Sequence, residues 1–330
     1  MNFTLNADEL PQMEAHLRSH KWIAPDEQLI SAKKAGEGNM NYTLRVRSNF
    51  RSFILKQSRP YVEKYPQVPA PVERALVEAK FYETIQQDVR LYDYTPELVA
   101  KDPENYLIQL EDLGSSEDFS FLYQKEKDIK VEEIKELAEF LSILHGEFNS
   151  EKITPNIPNR DMRALNAEHI FNYPFLEENG FNLDDVSPGL QEIAMSYKTD
   201  AAFKVRVGEL SKYYLEDGPT LLHGDFYPGS WLQTIRGVKV IDPEFGFFGI
   251  PEFDLSVWIA HFHMAEQAQT SIDQILTNYE FSSNLNTDVL EALVGVEIMR
   301  RLIGLAQLPL SLDLAEKEGL LKEAHRLIMK

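Results

Sequence analysis

The 330-residue chain contains no cysteine, which excludes disulfides, thiolate zinc sites and cysteine nucleophiles. Any metal chemistry must use carboxylate, amide or imidazole groups. No run of about 18 apolar residues occurs, so no membrane span is predicted. The opening, MNFTLNADELPQMEAHLRSH, lacks the basic end and apolar stretch of a signal peptide, and a cytoplasmic location is expected. Positive charge is scarce, with 33 Lys and Arg against 53 Asp and Glu and a formal net charge of −20. Nucleic acid and anionic lipid both select positive surfaces, so neither is an expected partner. The acidity leaves room for a cationic small molecule. A hydrophobic content of 43% over this length supports more than one core.

Taken in order, Asn6 to Lys21 has the spacing of an amphipathic helix, and Ala35 to Gln57 alternates like two strands joined at Ser48-Asn49. Gly36 and Gly38 precede the first of these strands, where backbone N–H groups could close over phosphates. An ordinary hairpin turn is the competing reading. Lys56 ends the second strand and is a candidate for the phosphates, against a solvent-facing lysine on an edge strand. Tyr61 to Pro71 is expected to be loop. A helix from Val72 to Gln87 carries Glu73, Glu78 and Glu83, of which Glu78 is chosen as the partner of Lys56. A strand from Asn105 to Leu110 leads into a turn-rich hinge at Glu111-Asp112. Helices dominate beyond it, beginning with the amphipathic Val131 to Phe148, on which His145 reads as a packed core histidine. Strands first and helices after predict an α+β fold, not an alternating parallel-sheet enzyme.

The chemistry concentrates in LLHGDFYPGSWLQTIRGVKVIDPEF, Leu221 to Phe245. Asp225 follows a glycine in a short turn, so its carboxylate can project and accept a hydroxyl proton. Ser230 can return an oxygen to the same place. A short apolar strand, Val238 to Ile241, delivers Asp242, and Pro243 separates it from Glu244. Magnesium held by one or two carboxylates plus substrate phosphates needs about this much from a protein. Glu252 and Asp254, at the start of the next helix, can cap it or accept N–H groups from a nearby loop.

HGDFYPGS followed by IDPEF resembles the catalytic loop and metal motif of the aminoglycoside phosphotransferase superfamily, and within it the 5-methylthioribose kinase family. The resemblance extends over roughly residues 30 to 308. It includes Gly36-Glu37-Gly38-Asn39-Met40-Asn41, Lys56-Gln57, Pro60-Tyr61-Val62, Glu111-Asp112, Ser230 in place of the usual asparagine, Asp242-Pro243-Glu244, and Arg300-Arg301 before Gly304-Leu305-Ala306. It implies a two-lobed protein-kinase-like fold, with a small β-rich lobe over residues 1–112 and a larger helical lobe over 113–330. It also implies ATP and Mg2+ as cofactors, a small-molecule acceptor and a homodimer. Carried over by position, Gly36, Gly38, Asn39, Asn41, Lys56, Glu78, Glu111 and Ser230 would serve the nucleotide, and Asp242 and Glu244 the metal. Asp225 would be the base, and Arg300 and Arg301 would face the sugar or the transferring phosphoryl group. From position alone, the arginine pair reads as a surface salt bridge with Glu297 or Glu291.

The sequence departs from the family at Phe226-Tyr227-Pro228 and at Trp231, beside the catalytic acid, and is shorter than typical members. Acceptor identity is expected to turn on those residues. The leading expectation is phosphorylation of a sugar hydroxyl. The alternatives are a cationic acceptor, such as an aminoglycoside or amino alcohol, and a nucleotide-binding pseudokinase.

Overall fold

The computed structural model describes residues 3–36 and 40–330. Gly38 and Asn39 fall outside the described residues. The chain forms two compact units, residues 1–116 with 239–245, and residues 117–238 with 246–330.

The first unit is built on a five-stranded antiparallel sheet. Its strands are β1 (Leu29–Lys34), β2 (Tyr42–Ser48), β3 (Ser52–Gln57), β6 (Leu98–Asp102) and β7 (Leu107–Glu111), in the order β1-β2-β3-β7-β6. Alternation sets which face each residue takes. In β2, Leu44 and Val46 are buried while Arg45 and Arg47 point out. In β3, Phe53 and Leu55 share the face covered by helix α1 (Leu10–Ser19), whose Met13 and Leu17 stand one turn apart in the same core. Each of these apolar side chains contributes about 1.5–3 kcal/mol on burial. Lys56 consequently lies on the opposite face, and β3 is a central strand paired on both sides, Thr43↔Lys56 and Lys56↔Ile108. The competing reading, a solvent-facing lysine on an edge strand, does not hold.

The proline-rich segment, expected to be loop, holds a small hairpin, β4 (Tyr61–Val62) against β5 (Tyr65–Pro69). Helices α2 (Arg74–Ile85) and α3 (Val89–Tyr92) follow.

The second unit is largely helical. It contains α4 (Val131–Glu147), α5 (Arg160–Ala167), α6 (Leu190–Lys198), α7 (Ala201–Leu215), α8 (Pro251–Met264), α9 (Gln269–Asn278), α10 (Thr287–Ile303) and α11 (Leu314–Met329). Both α8 and α10 are buried nearly all round and form its centre. Gly295 of α10 sits so close to α11 that a β-carbon there would come within 2.5 Å of the Ala324 carbonyl oxygen. Strand β8 (Glu117–Asp118) pairs with β10 (Trp231–Thr234). Strand β9 (Thr220–Leu222) pairs with β12 (Phe247–Gly249), matching Leu222 to Phe247 and setting His223 at a fixed exit. The chain re-enters the first unit partway along β11 (Gly237–Val240) and leaves it after Phe245. Among the described residues no helix is long and apolar enough to cross a membrane.

Candidate active site

In the first unit, six predicted or newly found polar residues converge. Glu73, Glu78 and Glu83 are five positions apart, and steps of about 100° per residue turn each about 140° from the last. Only one can face the sheet. It is Glu78, fully buried, with Oε2 2.6 Å from Lys56 Nζ. Glu83 pairs with Lys101 instead, and Glu73 is exposed.

Lys56 Nζ also lies 2.5 Å from Asp242 Oδ1. Asp242 has φ +62°, a left-handed backbone that costs a non-glycine residue about 1–2 kcal/mol and points to a functional constraint. The turn Pro243–Phe245 then folds Glu244 inward, where Asn41 Nδ2 donates to Oε2 at 2.7 Å and Arg74 Nε stands 3.7 Å away. Arg74, which sequence reasoning missed, also donates to the carbonyls of Met40, Tyr61, Arg59 and Pro71 and so fixes the hairpin to the start of β2. Only burial distinguishes it from any other helix arginine, and the sequence carries no signal for that.

Three carboxylates, Glu78, Asp242 and Glu244, face two cations, Lys56 and Arg74. Burial opposes the charge on Lys56, but the carboxylates of Asp242, Glu78 and Glu244 outweigh it and raise its pKa. Burial pushes Glu78 up to about 8 and also raises Glu244. The site has an all-oxygen acidic donor set, which suits a hard divalent cation. Gly36 is exposed with φ +74°. Glu111 ends β7 and accepts the Glu97 N–H at 3.3 Å.

In the second unit, the chain leaves β9 through an elbow. Gly224 has φ +85°, a conformation open to glycine at no steric cost. Asp254, in the first turn of α8, grips the elbow by accepting the His223 N–H at 2.7 Å on Oδ2 and the Gly224 N–H at 2.9 Å on Oδ1. His145 is buried against the same carboxylate and Tyr279, as a core histidine. Ser230 donates from Oγ to the Asp225 carbonyl at 2.9 Å and closes the loop that presents Asp225.

Arg300 and Arg301 stand in the last turn of α10, and both side chains are buried, not on the surface as position alone suggested. Arg301 spans two acids, with Nε on Glu297 Oε1 at 2.6 Å and Nη2 on Asp225 Oδ1 at 3.1 Å. Arg300 binds Glu297 Oε2 at 2.9 Å and approaches Asp225 at 3.9 Å. The Arg301 guanidinium also covers the Tyr227 ring at 4.9 Å. Burial would raise Glu297, but Arg300, Arg301 and His261 hold it well below the usual range. Burial raises Asp225 above its ordinary value despite the two guanidiniums, moving a candidate base closer to working pH. Behind Glu297, His261 and Tyr123 continue a buried hydrogen-bonded chain. Glu297 sits three and four residues before the arginines, a spacing the sequence did expose.

Phe226 and Trp231, expected to shape the acceptor site, are fully buried. The Phe226 ring packs on Trp231, Trp258 and Phe140 at 5.1, 5.5 and 5.8 Å. These residues form core beneath the loop, and of the departures only Tyr227 reaches the arginine pair.

No protein-family model matches the chain. A methylthioribose kinase of Bacillus cereus is 27% identical over 245 residues, covering 70% of this chain and 60% of that protein. The chain thus spans about three fifths of the length of such curated relatives. A choline kinase from Streptococcus pneumoniae superposes with a TM-score of 0.52 at 13% identity, over 96% of this chain and 99% of that one. An ADP-bound aminoglycoside phosphotransferase gives 0.50 at 13% identity, over 98% and 99%. The chain is therefore related in sequence to the methylthioribose kinases and has the protein-kinase-like α+β fold of the aminoglycoside phosphotransferase superfamily.

Proposed function

We propose that the protein is a cytoplasmic, ATP- and Mg2+-dependent kinase that phosphorylates a hydroxyl group of a small sugar of the methylthioribose type. Nucleotide handling falls to the first unit. Lys56, oriented by Glu78, takes the nucleotide phosphates, and Asn41 and Arg74 hold Glu244 in place. Asp242 and Glu244 would hold magnesium, which supplies charge neutralisation at the transferring phosphates. The all-oxygen acidic donor set of this cluster supports that assignment.

Acceptor chemistry falls to the second unit. Asp225, fixed through Asp254 and Ser230, accepts the proton of the attacking hydroxyl. Arg300 and Arg301, positioned by Glu297, counter the negative charge spread over the phosphoryl oxygens.

The observation that carries the sugar reading is the direction of the arginine pair. Both guanidiniums point toward Asp225, and a cationic acceptor approaching that carboxylate would meet two positive charges, whereas a neutral sugar hydroxyl would not. The net charge of −20 favours a second reading, in which a cationic amino alcohol is drawn in by the overall field.

A coupled ADP-release assay over methylthioribose, choline, an aminoglycoside and homoserine separates the two. Turnover of methylthioribose with the others inert is expected. Turnover of choline or the aminoglycoside alone would replace the sugar reading by the second.

A further inference from the structure

Outside the residues assigned to phosphoryl transfer, the first unit brings two imidazoles and a carboxylate together. His16 and His20 stand one helical turn apart at the end of α1, and Asp102 is the last residue of β6, 86 positions from His16. The Nε2 of His16 is 3.0 Å from Asp102 Oδ2, and the Nε2 of His20 is 3.6 Å from the same oxygen. One donor atom from each residue lies within 4.8 Å of the others. Zinc-class ions bind nitrogen and oxygen at about 2.0–2.2 Å in tetrahedral sites, which places neighbouring ligand atoms roughly 3.3 Å apart. The two distances to Asp102 bracket that spacing.

The outer contacts orient the ligands as metal sites require. The Nδ1 of His20 is 3.0 Å from the His16 carbonyl. The Ser19 Oγ stands 3.1 Å from the same Nδ1, and these contacts hold the ring with its Nε2 toward Asp102. Asp102 is itself pinned by the Asn105 side chain at 2.7 Å and by the backbone N–H groups of Glu104 and Asn105. The His16 ring stacks on Phe3 at 3.9 Å. A simple His16–Asp102 hydrogen bond explains one short distance, but not a second imidazole aimed with its Nε2 at the same oxygen. The His20 side chain is 39% exposed, so water can reach the remaining coordination position.

We infer that His16, His20 and Asp102 form a binding site for one divalent transition-metal ion of the zinc class, clamping α1 to the turn between β6 and β7. Two imidazoles and one carboxylate select such ions over magnesium, so the site is separate in chemistry from the Asp242–Glu244 carboxylates and independent of the kinase reading. Binding to the folded chain alone raises its stability by mass action.

The test is a titration of the chelator-treated, full-length chain with Co2+, followed by absorption, and with Zn2+, followed by the thermal unfolding midpoint. One Co2+ per chain with ligand-field bands is expected, displaced by Zn2+ but not by excess Mg2+, with a Zn2+-dependent rise in the midpoint. His20→Ala should weaken binding at least about tenfold while leaving the metal-free midpoint in place, and Asp242→Asn should bind like the parent. Absence of the bands, equal affinity in His20→Ala, or loss of binding in Asp242→Asn would overturn the assignment.

Discussion

The Nη2 of Arg301 lies 3.1 Å from Oδ1 of Asp225 while its Nε remains on Glu297. The guanidinium therefore has one edge on a fixed acid and the other on the candidate base. Arg301→Lys keeps the charge but not the two-edged geometry, and should lower kcat by about 10²–10³. Steady-state kinetics with ADP release will show it, and near-parental kcat in the lysine variant would remove Arg301 from the reaction.

Asp225→Asn should reduce turnover by at least about 10², the lower end of what positioned proton transfer contributes. Nucleotide affinity, measured by calorimetry, should stay close to the parent, because Lys56 and Glu78, assigned to the nucleotide phosphates, belong to the first unit.

Lys56→Met leaves Glu78 buried without its nearest cation. Breaking a buried pair in this way costs about 3–5 kcal/mol, read by urea unfolding. The double variant Lys56→Met/Glu78→Gln should recover part of that loss without recovering nucleotide binding.

Burial lowers His261 from 6.5 to about 4, even though it bonds to Glu297. Between those values the unfolded chain binds a proton that the folded chain does not. Stability should therefore rise with pH across the window and be lost as pH falls through it. In His261→Gln the slope of unfolding free energy against pH between about 4 and 6.5 should be smaller by one proton's worth.

Trp231→Ala should destabilise by about 3–5 kcal/mol as a core deletion and leave the acceptor KM unchanged. A changed acceptor profile in a stably folded Trp231→Phe would restore this residue to substrate recognition.

That last case shows where the sequence was legible and where it was not. Helical periodicity located α4, and the glutamate spacing in α2 left one residue able to face Lys56. Tight local spacing singled out Asp225, Asp242 and Glu244. Burial across long separations is not written in a local pattern. Phe226 and Trp231 neighbour the catalytic acid along the chain, but their rings turn into an aromatic core. Strand β1 was missed because Leu29–Lys34 has no fully buried position and hence no alternation. Arg74 and His261 became visible only through the acids that face them.

The return of residues 239–245 to the first unit has a consequence for biosynthesis. During translation the first 116 residues emerge well before Asp242 and Glu244 are made. Until then Lys56 has Glu78 but lacks Asp242, and Arg74 lacks Glu244. The nascent amino-terminal sheet can form early, but its charge cluster is completed only after more than half of the second unit has left the ribosome.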